Sequence, residues 1–75
     1  MKKFTNSEKV AGELAVRRMS QKAREFYNGT DPLAVYEYDA DNGKRYAYSG
    51  AIGEDEDLTF EELQEVFENL LGEEE

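Results

Sequence analysis

The chain has 75 residues, of which 18 are Asp or Glu and 9 are Lys or Arg, and it contains neither Cys nor His. Without Cys, a disulfide framework, a thiolate nucleophile and a Cys-based metal site are excluded. Without His, the commonest metal ligand and the usual neutral-pH general base are missing. A chain this short forms a single small domain, residues 1–75, near the lower limit for folding alone.

The charge is divided by position along the chain. Residues 1–29 hold seven Lys or Arg and three Glu, a net charge of +4. Residues 30–75 hold two Lys or Arg and fifteen Asp or Glu, a net charge of −13, and residues 53–75 carry eleven acidic side chains and no basic one. Like charges at this density repel one another and disfavour the compact state. Their retention favours a function in which they meet a positively charged partner.

Nothing in the sequence predicts secretion or membrane insertion. Lys2 and Lys3 are not followed by the apolar stretch of about 7–15 residues that a signal peptide needs. No apolar run approaches the length of a membrane-spanning helix. We therefore expect a cytoplasmic protein, in the host cell cytoplasm if it is phage-encoded, with no membrane contact.

The first periodic segment predicts a helix over residues 7–28. Residues 5–8 fit a capping box at its start, although Asn6 or Ser7 could equally be the N-cap. Asn28-Gly29 stops the helix, because both residues tolerate the left-handed conformation. Pro32 prevents the helix from resuming. Gly12 beside the apolar stripe indicates a close approach to whatever this helix packs on. The stripe itself consists of Ala11, Ala15, Met19, Ala23 and Phe26.

A β-hairpin follows, with strands at residues 33–39 and 45–52. Asn42-Gly43 is a strong signal for a type I′ turn. With these two as the loop, Glu37 faces Tyr48. One face then carries Leu33, Val35, Tyr46, Tyr48 and Ile52, and we expect it to be the core. The other carries Ala34, Tyr36, Tyr38, Ala47 and Ala51, so Tyr36 and Tyr38 are expected on an open face beside Glu37 and Asp39. The alternative places one helix on each face and leaves no aromatic face open.

The last segment predicts a helix over residues 59–71. Thr59 and Glu62 form a capping box, and Gly72 ends the helix. The expected fold is therefore α+β: a two-stranded antiparallel hairpin packed with two helices, in the order α-β-β-α, with flexible ends at residues 1–6 and 73–75. One helix face is apolar, formed by Phe60, Leu63, Val66, Phe67, Leu70 and Leu71. The opposite face is acidic, formed by Glu61, Glu62, Glu65 and Glu68.

Metal binding and catalysis find little support in the residues. Residues 55–63 resemble the end of an EF-hand loop entering its helix. When Glu62 is aligned with the twelfth loop position, Ala51 and Gly53 fall on the first two ligand places and Glu56 on the obligatory glycine. There is no pairing of a nucleophile with a base and no phosphate-binding loop. We predict no metal site, no cofactor and no enzymatic activity.

Two surfaces remain as candidates for binding. The basic first helix could contact nucleic acid through Arg17, Arg18, Lys22 and Arg24, but the acidic groups on the same body oppose this, so direct nucleic-acid binding is not favoured. The acidic residues form an edge that no nearby basic residues balance. Along the helix axis, Glu65 and Glu68 lie about 6 and 10 Å beyond Glu61. These distances are comparable with two and three phosphate steps of roughly 3.4 Å each. The candidate partner-binding residues are Tyr36, Glu37, Tyr38, Asp39, Glu54, Asp55, Glu56, Asp57, Glu61, Glu62, Glu65 and Glu68.

In size, charge and element order, residues 36–75 resemble the small acidic inhibitors of bacteriophages and mobile elements, including DNA-mimicking anti-CRISPR proteins. The resemblance implies an inhibitor whose acidic edge blocks a Lys/Arg-lined nucleic-acid site on a larger protein, such as a CRISPR effector, nuclease or polymerase. The alternative is a small cytosolic adaptor or structural subunit. It could be a homodimer that pairs the basic first helix of one copy with the acidic second helix of the other.

Overall fold

The computed structural model describes residues 3–73, apart from the side chain of Glu73. It is an α+β fold with three helices and a three-stranded antiparallel sheet in the order β1-β2-β3. The α+β class is confirmed, but the order α-β-β-α with a two-stranded hairpin is wrong, because the first helix is divided and a third strand is present. The elements are α1 (Asn6–Val16), α2 (Gln21–Gly29), β1 (Leu33–Ala40), β2 (Gly43–Gly50), β3 (Gly53–Leu58) and α3 (Phe60–Glu73).

The break in the predicted first helix occurs at Ser20. Its hydroxyl oxygen accepts a hydrogen bond from the Ala23 N–H at 3.3 Å, which makes Ser20 the N-cap of α2. Its own backbone N–H donates to Gln64 Oε1 at 2.8 Å, and its hydroxyl donates to Glu68. Both partners lie on α3, so the break is stabilised by residues 44 and 48 positions away. Helical periodicity along residues 7–28 therefore could not reveal it.

The hairpin turns one residue earlier than predicted. Ala40 pairs with Gly43, so the loop is Asp41-Asn42, and Gly43 opens β2 with a φ of 109° that favours glycine. Glu37 consequently faces Tyr46 instead of Tyr48. This change moves each cross-strand partner by two residues, and because the side-chain period of a strand is two, the residues within the two strands keep their predicted faces. The second strand covers Gly43–Gly50 and not residues 45–52, so Ala51 and Ile52 lie in the turn that follows it.

Strand β3 was not predicted, because Gly-Glu-Asp-Glu-Asp-Leu has a composition that is unfavourable for strands. It forms by antiparallel pairing with β2, in which Tyr48 faces Asp55 and Ser49 faces Glu54. Gly53, at a φ of 104°, allows the chain to turn back from β2. An irregularity of the β2–β3 ladder follows, and Asp57 lies at a φ of 63°. Pairing with an existing hairpin overrides local propensity here.

The core lies between the three helices and the sheet face that carries Val35 and Tyr46, as predicted. Phe26, Val35, Leu63 and Phe67 are fully buried. The rings of Phe26 and Phe67 lie 5.4 Å apart, joining α2 to α3. Tyr46 is buried in the same cluster, whereas Tyr48 is half-buried at its margin. Burial of these side chains supplies the main favourable term for folding.

The two ends of the chain differ in part from the flexible segments that were expected. Thr5 is the N-cap of α1 in a capping box with Glu8, in which the Thr5 N–H donates to Glu8 Oε1 at 2.9 Å. Phe4 stacks on Tyr36, with ring centroids 4.7 Å apart. Helix α3 continues through Gly72, two residues beyond its predicted end. Residues 1–2 and 74–75 lie outside the described residues. Within residues 3–73, no helix is long and apolar enough to cross a membrane.

Candidate partner-binding surface

We use the term acidic surface for residues 54–57 of β3 together with Glu61, Glu62, Glu65 and Glu68 of α3. Strand β3 is an edge of the sheet, and a single residue, Thr59, connects it to α3. This connection places two acidic segments next to each other in the chain. Six side chains of the acidic surface are exposed, namely Glu54, Asp55, Asp57, Glu61, Glu62 and Glu65, and two are half-buried, namely Glu56 and Glu68.

The acidic surface is almost unneutralised by the rest of the molecule. Among the described residues, its one ion pair joins Arg45 Nε to Asp57 Oδ1 at 3.5 Å. An exposed pair of this kind contributes little to stability. Glu61 and Glu65 are one helical turn apart, a spacing at which like charges destabilise a helix. Apart from Arg45, no described cation pairs with these carboxylates, so most of their mutual repulsion is not offset within the fold.

Two members of the acidic surface on α3 have roles inside the fold. Glu62 Oε1 accepts from the Thr59 N–H at 2.9 Å, and the Glu62 N–H donates to Thr59 Oγ1 at 3.1 Å, so the predicted capping box is confirmed. The hydrogen bond from the Thr59 backbone lowers the pKa of Glu62. Glu68 accepts the hydroxyl hydrogen of Ser20. These two carboxylates are therefore less available to a partner than Glu54, Glu61 and Glu65.

Glu37 and Asp39 lie apart from the acidic surface and have partners of their own. Glu37 is largely buried and accepts the hydroxyl hydrogen of Tyr46 at 2.7 Å. It also pairs with Arg18 at 3.7 Å and with Lys44 at 3.8 Å. Lys44 Nζ lies 2.9 Å from Asp39 Oδ1. Both carboxylates are thus neutralised within the fold, and the hairpin register that brings Tyr46 opposite Glu37 creates this arrangement.

Tyr38 is not on an open face, contrary to expectation. Only 8% of it is exposed, and its hydroxyl accepts the Asp57 N–H at 2.8 Å. Burial raises its pKa. The ring of Phe4 lies 5.2 Å away, so the N-terminal segment covers the face that was expected to be open. Tyr36 beneath the same ring is half-buried and keeps part of its surface accessible.

A second charged surface lies on α1 and α2. Among the described residues, Lys9, Arg17, Lys22 and Arg24 are exposed and make no ion pair. A cleft of about 600 Å³ between these two helices is lined by Glu13, Val16, Arg17, Arg24, Tyr27 and Asn28. Sequence reasoning missed this cleft, since it treated both helices as one.

Two large apolar side chains are exposed beside the cleft. Val10 is 54% exposed and Leu14 is 50% exposed. They are four residues apart on α1, so they adjoin on one side of the helix, and Arg17 follows Leu14 by three residues on that side. The sequence contained a signal for them, because Val10 falls outside the apolar stripe of the predicted helix and Leu14 lies only on its flank.

The acidic surface offers carboxylate oxygens, which accept hydrogen bonds from Lys and Arg and attract them electrostatically. Among the described residues, no group of three or more Asp or Glu side chains is arranged to hold a metal ion. No known protein family, curated protein or solved structure matches the chain.

Proposed function

We propose that this protein is an inhibitory binding protein of the cytoplasm that presents its acidic surface to a Lys/Arg-lined nucleic-acid site on a larger protein, such as a CRISPR effector. The observation that carries the proposal is the lack of internal neutralisation. Of the eight carboxylates of the acidic surface, one is ion-paired with a described cation. A partner that supplies cations would relieve repulsion that folding leaves in place.

The partner contacts centre on the carboxylates that have no role in the fold. Glu54, Glu61 and Glu65 are exposed, and none of them makes a described ion pair or hydrogen bond. Glu61 and Glu65 are separated by about 6 Å along the helix axis, which is close to two phosphate steps of a nucleic-acid strand. Their charges would accelerate the encounter with a basic groove, and the rate would fall with rising salt. The mechanism requires no catalytic step.

The test is a triple substitution, Glu54→Gln with Glu61→Gln and Glu65→Gln. We expect the free energy of unfolding to stay the same or rise by a few tenths of a kcal/mol, since repulsion is relieved. Inhibition of DNA cleavage by a purified CRISPR effector nuclease should weaken about tenfold or more, the effect of losing roughly 1.4 kcal/mol of contact energy. Urea unfolding and cleavage assays provide the two measurements.

A matched control removes the same amount of charge elsewhere. Glu25→Gln with Asp31→Asn and Asp41→Asn changes three exposed groups outside the acidic surface. This control should inhibit like the unmodified protein. Equal loss of inhibition in both triple variants would contradict a localised contact and leave only a net-charge effect.

Direct blocking also predicts mutual exclusion. Excess nucleic acid should displace the protein from its target, because both would occupy one basic groove. A stable complex that contains target, nucleic acid and this protein together would refute blocking. Such a complex would favour the adaptor alternative instead.

A further inference from the structure

The cleft between α1 and α2 has the chemistry of a protein-binding site. Its rim carries two exposed guanidinium groups, Arg17 and Arg24, that make no ion pair among the described residues. Its inner lining includes Val16 and the half-buried Tyr27. Leu14 stands half-exposed beside it. Arg, Tyr and an exposed large aliphatic side chain in one place are typical of a contact surface that a partner covers.

A surface with the complementary properties lies on α3. Leu58, Val66 and Asn69 line a shallow groove of about 260 Å³ together with Glu62 and Glu65. Leu58 and Val66 are half-buried, so they offer an apolar floor, whereas Glu65 is exposed at the rim. The groove is apolar in the middle and negative at its edge. The ridge formed by Val10, Leu14 and Arg17 on α1 is apolar along its length and positive at one end.

We propose that the ridge of one copy of this protein binds the groove of a second copy, and that the second copy returns the same contact. Leu14 would seat between Leu58 and Val66 of the other molecule, and Arg17 would meet Glu65. Two reciprocal contacts form a closed dimer with two-fold symmetry, the commonest arrangement of homo-oligomers. The dimer covers an exposed apolar side chain and pairs charges that a single copy leaves unpaired.

A second copy fits this ridge better than nucleic acid does. Phosphates would pair with Arg17 and Arg24 but would leave Val10 and Leu14 in water, and the net charge of −9 opposes a polyanion over the whole body. The groove on α3 supplies both a carboxylate and an apolar floor. Both the charges and the apolar surfaces of the ridge therefore favour a second copy of this protein as its partner.

The first experiment measures association by sedimentation velocity over a wide concentration range, at about 50 mM and about 500 mM salt. The unmodified protein should approach twice the monomer mass at the highest concentrations, and more weakly at high salt. Leu14→Glu should remain monomeric, whereas Lys22→Glu, on an exposed residue that does not line the cleft, should associate like the unmodified protein. A monomer at every concentration, or equal loss in both variants, would overturn the proposal.

A charge exchange tests the pairing itself. Arg17→Glu alone and Glu65→Arg alone should each abolish association, because each places like charges at both contacts. Their equimolar mixture should recover it, since both contacts again join opposite charges. Both positions are exposed, so we expect both variants to fold. Circular dichroism of each variant checks this. Absence of recovery in a mixture of folded variants would refute this pairing.

The result is separable from the proposed inhibition. The dimer would cover Glu65 of the acidic surface, so self-association and target binding would compete for this face. Leu14 itself lies outside the acidic surface, so Leu14→Glu should lose self-association and inhibit the target nuclease at least as well as the unmodified protein. The outcome that would contradict the dimer is a different one. If the unmodified protein bound a duplex DNA oligonucleotide but did not self-associate, and if Leu14→Glu abolished the DNA binding, nucleic acid would be the occupant of the ridge.

Discussion

The two edges of the sheet are protected in opposite ways. At one edge, α1 packs on β1 so closely that a Cβ atom added to Gly12 would lie 2.1 Å from the Val35 carbonyl oxygen. At the other edge, the main packing partner of β3 among the described elements is β2. Its outer side is occupied by carboxylates. One edge is covered by a helix, and the other relies on charge.

This difference explains how an acidic strand can serve the fold. An uncovered strand edge invites pairing with other chains, and charged side chains oppose such pairing. Local hydrogen bonds also engage backbone donors of β3: the Glu56 N–H donates to Asp55 Oδ1 at 2.8 Å, and the Asp57 N–H donates to Tyr38. Edge protection is one explanation for the acidic residues of β3, including Glu54, which the proposed inhibition also uses. It does not account for Glu61 and Glu65 on α3, which are therefore the more informative residues for function.

The covered edge should be the more sensitive one to substitution. Gly12→Ala places a methyl group against backbone atoms of Val35 and Tyr36 that have no room to move. We expect it to lower the free energy of unfolding by about 3 kcal/mol, the upper range for overpacking a tight contact. Gly29→Ala is the control, because nothing lies within 4 Å of the added atom. Gly29→Ala should be neutral or stabilising in the same urea titration. An equal loss in the free energy of unfolding for both variants would contradict a tight contact between α1 and β1.

The link between the two edges can be tested at Tyr38. Its hydroxyl on β1 accepts a hydrogen bond from Asp57 on β3, across the central strand. Tyr38→Phe leaves the Asp57 N–H, which donates a part-buried hydrogen bond, without this acceptor and should cost about 1 kcal/mol of stability. Tyr36→Phe, on the same strand face, should have a smaller effect. Hydrogen exchange of the Asp57 amide should accelerate in the first variant and remain unchanged in the second.

The free energy of unfolding should decrease at alkaline pH, because the buried tyrosines ionise there. Burial, reinforced by the hydrogen bond to Glu37, raises the pKa of Tyr46 from 10.0 to about 12. Burial also raises the pKa values of Tyr27, Tyr38 and Tyr48. A raised folded pKa means that the stabilisation is complete below pH 10.0 and is lost as the pH rises toward 12. Urea unfolding across this window should show the decline, and Tyr46→Phe should make it shallower. Constant stability over the window would contradict these shifts.

The candidate site was predictable in its residue types but not in its extent. Glu61 and Glu65 were expected on an exposed helix face, and they are exposed. Glu37 and Asp39 were included as neighbours of Tyr36 and Tyr38 on the face expected to be open, yet both form ion pairs with Lys44. Tyr38 was expected to be open, but Phe4, more than thirty positions earlier in the chain, covers it. Burial and ion pairing depend on such distant neighbours, which a local pattern does not contain.

By itself, the sequence determined the features whose causes are local. The capping boxes at Thr5 and Thr59 and the alternation that sorts the hairpin faces all arise within a few residues. Tertiary structure alone decided the break at Ser20, which depends on Gln64 and Glu68, and the strand β3, whose acidic residues favour extended pairing only because β2 is already in place. Local interactions select elements of secondary structure, whereas hydrogen bonds between distant segments decide where these elements end and whether marginal ones form at all.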